Sequence, residues 1–113
     1  MSEQLSEDQR RVADILRFAA VAAKIVTEGR EVFLSPEGEI LRYAAHTVVV
    51  NVAAAAERLS ESFIQEHPDV PWREIRAMRN HLAHDYEGVN ETFVWNTLAF
   101  DLPRLVEAIL MEY

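Results

Sequence analysis

Cysteine is missing from this 113-residue chain, which excludes disulfides, thiolate metal sites and a cysteine nucleophile. The absence fits a reducing cytoplasm. No apolar run is long enough to cross a bilayer. The longest, Ala44 to Ala56, is too short and is interrupted by His46, Thr47 and Asn51. The stretch from Met1 to Arg11 is polar and charged, unlike a secretory signal. Positive charge is in deficit too, with 11 Lys and Arg against 19 Asp and Glu and a net charge of −8. Phosphate neutralisation by basic side chains dominates nucleic-acid affinity, so this balance argues against general nucleic-acid binding. There is no repeat, low-complexity tract or interdomain linker. These absences predict one soluble, cytoplasmic domain over residues 1–113, and the half of the chain that is apolar is enough to fold it.

Hydrophobic spacing then predicts helices. Val12, Ile15, Leu16, Ala19, Ala22, Ala23 and Val26 mark one face of a first helix from about Ser6 to Glu28. Ser6 is its expected N-cap, and Gly29 suits the left-handed conformation that ends helices. Arg30 to Leu34 reads as a connector. Ser35-Pro36 opens a second helix expected to reach from about Pro36 to Glu66, with Gly38 weakening its first turn. The β-branched run Thr47 to Val52 suits a strand when taken alone, but the alanines on both sides favour helix. Apolar on more than one face, this helix needs a central position or cover from a second copy of the chain. His67 to Pro71 breaks it, and a third helix starts at Pro71 or Trp72. Asn90 caps a fourth, whose apolar positions are Phe93, Val94, Trp95, Leu98, Leu102, Leu105, Val106 and Ile109. Pro103 inside that pattern predicts a kink near Asp101. The expected architecture is all-α: an antiparallel bundle of four or five helices.

Chemistry concentrates between Trp72 and Tyr86, where three arginines, two histidines and a tyrosine gather against Glu74 and Asp85. At about 100° per residue, Ile75, Met78 and Leu82 face the core and Arg79 falls on the shoulder of that stripe. A guanidinium is costly there unless it lines a groove or meets an anion. Asn80 and His84 share a face, with Arg73 and Arg76 beside them. Cleaving RNA requires a base for the 2′-hydroxyl, an acid for the leaving oxygen and positive charge on the phosphorane. An imidazole at His84 suits the first or second task and the Arg79 fork the third. Arg73, Arg76 and His81 are the candidate RNA-binding side chains. The plainer alternative is that His84 caps a helix end and Arg79 pairs with an acidic neighbour. Glu57, Glu61 and Glu66 read as a solvated acidic face, with no partner arrangement suited to general acid work. His81 and His84 lack a third ligand for a metal, and Trp72 and Trp95 fit core packing better than base stacking.

The octapeptide Arg79-Asn80-His81-Leu82-Ala83-His84-Asp85-Tyr86 resembles the Arg-x4-His-x-Tyr signature of HEPN ribonuclease toxins of the HepT group. Pro71 to Met78 and Val94 to Leu105 resemble that group as well. The resemblance implies a homodimeric HEPN-like bundle acting as a metal-independent endoribonuclease, without cofactor, at its dimer cleft. Arg79 and His84 would be catalytic, with Asn80 supporting them, and products would carry a 2′,3′-cyclic phosphate and a 5′-hydroxyl. It also implies a partner, a minimal nucleotidyltransferase antitoxin of the MntA type that adenylylates the motif tyrosine, here Tyr86. One departure is that many relatives carry Gly-Glu in the second helix where this chain has Ala53-Ala54. The competing expectation is a non-catalytic interaction module that binds such a nucleotidyltransferase.

Overall fold

A central helix rich in valine and alanine organises the chain. The computed structural model describes residues 3–84 and 88–111, with side chains over 7–83 and 88–110. Its helices are α1 (Glu3–Thr27), α2 (Arg30–Leu34), α3 (Glu39–Glu57), α4 (Glu61–Glu66), α5 (Trp72–His84), α6 (Glu91–Asn96) and α7 (Leu102–Met111). A 3-10 turn, Pro36–Gly38, precedes α3, and a π-helical stretch, Thr97–Asp101, joins α6 to α7. No strand occurs among the described residues, and the all-α bundle expected from the pattern is the fold observed.

The β-branched run that suits a strand locally lies inside α3. Ala45, Val49 and Val52 are fully buried, and Val48 and Ala53 are nearly so. Helix α3 packs along α1 and α5 and also touches α2 and α6. Of the two expected arrangements for a helix apolar on several faces, this chain therefore shows the central one. Burial on several sides outweighs the small intrinsic helix penalty of valine. On α1 the buried positions are Val12, Ile15, Ala22 and Ile25. Ala23, expected on this face, is exposed, and Ile25 takes its place.

Several boundaries differ from those expected, each for a physical reason. Helix α1 is already helical at Glu3, so Ser6 is inside it rather than its cap. Gly29 takes a positive φ of 97° but an extended ψ of 151°, not the left-handed helical cap expected, and its carbonyl accepts from Phe33 N at 3.0 Å. That bond makes Arg30–Leu34 a helical turn instead of an irregular connector. Arg42 donates to the Phe33 and Ser35 carbonyls, each at 2.6 Å, and ties this turn to α3. Gly38 sits so close to the Val32 and Phe33 carbonyls that any Cβ would collide with them. The close approach holds Pro36–Gly38 in a 3-10 turn, and α3 begins only at Glu39.

The second expected helix, Pro36 to Glu66, is in fact two. Arg58 and Leu59 N–H turn back to the Ala55 and Ala56 carbonyls, and Ser60 takes an extended conformation, φ −65° and ψ 154°. Its hydroxyl oxygen accepts from Phe63 N and caps α4. What fixes the break is Asp8, a buried carboxylate on α1. It accepts from Ser60 N at 2.8 Å and from the Ser60 hydroxyl at 2.6 Å. A continuous helix would leave that carboxylate unpaired in the core.

The last segment follows the sequence more closely. Asn90 caps α6, its side-chain oxygen accepting from Thr92 N and Phe93 N. The disturbance expected near Asp101 is the π-helical stretch just before Leu102-Pro103, where proline cannot supply a backbone N–H. Phe93, expected in the core, is 57% exposed. Trp95 is buried against Phe33, ring centroids 5.3 Å apart.

Replacing Asp8 by alanine removes both acceptors from Ser60 and is expected to destabilise the fold by about 1–3 kcal/mol. The measurement is the urea midpoint at unchanged m. Asp8→Asn, which keeps one acceptor oxygen, should lose less. A wild-type midpoint in Asp8→Ala would show that the tie contributes nothing.

Candidate active site on helix α5

The α4–α5 connection fixes where the site helix starts. His67 is buried and stacks on Phe63 at 4.2 Å between ring centroids, its Nδ1 donating to the Phe63 carbonyl at 2.8 Å. Its own carbonyl accepts from Trp72 Nε1 at 3.0 Å. Pro71 leads into the first turn, with its carbonyl accepting from Ile75 N. Ile75 and Leu82 are then the buried anchors of α5, which packs against α3. Their seven-residue spacing sets the rotation of the helix, and so the direction of every polar side chain on it.

Arg79 emerges on the shoulder between α5 and α3, its side chain 36% exposed. There it meets an anion. Its Nη1 donates to Oε1 of Glu57, the last residue of α3. Glu57, one of the carboxylates read as a solvated acidic face, is thus the acidic neighbour that the plainer alternative gave to Arg79. Glu61 and Glu66 remain exposed. Ala53 and Ala54 carry no carboxylate, and Ala53 is buried beneath the same edge of α5, where it lines a small cleft with Glu57, Ile75 and Arg76. An ion pair this exposed contributes only about 0–1 kcal/mol to stability.

Arg73, Arg76 and Asn80 stand exposed on the outer face of α5 and bond to no other described residue. His81 is half-buried, its Nε2 accepting from Asn90 N at 3.1 Å, so this imidazole ties α5 to the start of α6. The backbone of His84 closes α5, while its side chain lies outside the described residues. Tyr86 lies outside them altogether. Among the described residues no group of three or more acidic or histidine side chains is placed to hold a metal. No described helix is long and apolar enough to cross a membrane.

Two further features escaped the sequence reading. His46 on α3 meets Glu91 on α6, Nε2 to Oε1 at 2.7 Å, beside a cavity of about 200 Å³ shared with Arg42 and Tyr43. Forty-five positions separate the two residues, so no local pattern announces the pair. On the other flank of α5 runs a groove of about 430 Å³, lined by Glu74, Met78, His81, Phe93, Asn96 and Asp101. This groove explains why Phe93 is not in the core. A larger groove of about 520 Å³ between α1 and α7 is almost wholly apolar and is lined by no residue of α5.

A family model described as Ribonuclease HepT-like matches residues 3–111. A protein from Caldanaerobacter subterraneus subsp. tengcongensis named "Putative RNase" is 36% identical over 58 residues, covering 51% of this chain and 52% of the relative. "Probable ribonuclease HepT" of Thermococcus cleftensis is 37% identical over 54 residues, 48% of this chain and 49% of its own length. A "Putative RNase" of Methanocaldococcus jannaschii is 27% identical over 71 residues, 63% and 65% of the two chains. The chain thus spans about half to two thirds of the length of these relatives. No solved structure matches significantly.

Within the α5–α6 groove, burial raises the Asp101 pKa above its ordinary value, and Glu74 adds to the rise against the opposing pull of Arg104. A carboxyl whose folded pKa is raised binds its proton more tightly in the folded state. Its favourable contribution is complete below the unfolded value and is lost as pH rises through the folded one. Asp101→Asn should therefore raise Tm at neutral pH and lose that advantage in acid. A Tm difference independent of pH would refute the assignment.

Proposed function

We propose that this chain, which belongs to the HepT-like ribonuclease family, is a metal-independent endoribonuclease that acts as the toxin of a toxin–antitoxin pair. The observation that carries the reading is the presentation of Arg79. Core burial of Ile75 and Leu82 places its guanidinium at a surface edge, with Asn80, Arg76 and Arg73 exposed on the same helix and His84 at its end.

The chemistry follows from these groups. A phosphate of the strand settles at the Arg79 fork, and Arg73 and Arg76 meet the flanking phosphates. Asn80 supports the reacting phosphate by hydrogen bonding. The 2′-oxygen attacks phosphorus as its proton passes to a base, and the 5′-oxygen leaves with a proton from an acid. The products are a 2′,3′-cyclic phosphate and a 5′-hydroxyl. His84 serves as acid or base because imidazole titrates near neutral pH. Arg79 stabilises the charge on the phosphorane.

One chain supplies one such imidazole. On a regular helix, residues five apart leave the axis about 140° from each other. Helical spacing alone therefore does not stack positions 79 and 84 on one line. Two chains related by a twofold axis bring one chain's guanidinium toward the other's imidazole and provide both acid and base. This geometry supports a homodimer with the site in its cleft.

Control of the toxin falls to Tyr86. A cognate minimal nucleotidyltransferase transfers AMP to its hydroxyl, which places negative charge and bulk where RNA phosphate must sit. The pair would work in the cytoplasm. A second reading, a non-catalytic module that binds this nucleotidyltransferase, is favoured by the net charge of −8 and by the carboxylate already on Arg79.

Purified protein is expected to cleave RNA in EDTA. Arg79→Ala should reduce the rate by about 10²–10³-fold and His84→Ala by about 10²–10⁴-fold, with circular dichroism and Tm retained. Undiminished cleavage in both variants would end the ribonuclease reading. Co-expression with the nucleotidyltransferase should add the mass of AMP at Tyr86. A stable complex without that modification favours the module.

A further inference from the structure

We infer that Glu57 is a positioning residue for Arg79: its carboxylate holds the guanidinium in the orientation from which the remaining N–H groups receive the scissile phosphate. The inference rests on the ribonuclease reading and assigns one more residue to that site.

The argument begins with the arginine itself. Its side chain has several rotatable bonds and is 36% exposed, so partial burial of the stem does not by itself fix the plane of the terminal fork. A fork that must meet phosphate oxygens in a fixed plane needs such selection before the substrate arrives. Glu57 supplies it from the neighbouring helix. It ends α3, the most enclosed helix of the bundle, and α3 is packed directly on α5. The backbone that carries the carboxylate is therefore placed by the same helix–helix contact that places α5.

The alternative is that Glu57 covers Arg79 and must be displaced. The contact argues against that. It joins a single nitrogen, Nη1, to a single oxygen, Oε1. A guanidinium carries five N–H donors, and with this one hydrogen bond the other edge of the fork meets no described side chain. With Arg79 at 36% and Glu57 at 41% exposure, solvent reaches both partners and weakens their mutual attraction. Arg73 and Arg76 make no ion pair with a described residue, so positive charge for a strand remains after Glu57 has neutralised its partner. Removing Glu57 then frees Arg79 to wander without improving its access.

Steady-state cleavage of an RNA oligonucleotide by full-length Glu57→Ala and Glu57→Gln proteins tests this. Glu57→Ala should lower kcat by about 10- to 100-fold, the scale expected for a misplaced catalytic group, while KM stays within about twofold. Glu57→Gln retains an acceptor oxygen and should recover most of that loss. Tm for both variants separates these effects from unfolding. An unchanged or increased kcat in Glu57→Ala overturns the proposal and makes Glu57 a bystander or a cover. Equal loss in both variants, with a changed acid limb of the pH profile, also overturns it, because the carboxylate would then itself exchange protons with substrate. If the wild-type protein cleaves no RNA, the ribonuclease reading fails separately. Hydrogen exchange at Arg79 Nε–H then decides the positioning claim, faster in Glu57→Ala if it holds and unaltered if it does not.

Discussion

Helix α3 can be central only because its side chains are small. Ala45, Val48, Val49, Val52 and Ala53 are buried along its length, and the long helices α1 and α5 both pack against it. Short, stiff side chains allow close approach and leave few alternative rotamers, so the separation between helices is narrowly defined. Helix α5 depends on this. Its buried anchors are Ile75 and Leu82, and its first turn is tied through Trp72 to the buried His67. The height and rotation of Arg79 are consequences of core packing several residues away, not of any preference of arginine.

The second organising feature is the partition of charge around α5. On its outer side stand Arg73 and Arg76, with Arg79 at the shoulder toward α3. On the groove side lie Glu74 and Asp101, where burial and then the neighbouring Glu74 charge raise the Asp101 pKa. A phosphate chain approaching this helix is drawn to one flank and repelled from the other. A molecule with net charge −8 can therefore meet RNA in the proposed manner without being a general nucleic-acid binder. The same partition makes the encounter sensitive to salt, since the attracting groups are exposed.

Much of the fold was legible because its signals are local or periodic. The start of α5 after Val70-Pro71, the Asn90 cap and the disturbance ahead of Pro103 each follow from a few adjacent residues. So did the Arg79 dilemma: a guanidinium on an apolar shoulder needs an anion or a groove. Which anion was not legible. Glu57 lies 22 positions away and, read along its own helix, looks like any solvated carboxylate. The break at Ser60 was missed for a related reason, since the buried acceptor that favours it, Asp8, is 52 positions distant.

The sequence by itself determined that the chain is helical, which faces are apolar, and that Arg79, Asn80 and His84 belong to one short helix, because spacing at 3.6 residues per turn encodes these directly. Tertiary structure alone decided which side chains meet. Arg79 with Glu57, His46 with Glu91 and Asp8 with Ser60 each join different helices, and their encounter depends on the register in which those helices pack. That register is set by the summed fit of the buried valines, alanines and isoleucines, a property no single segment carries.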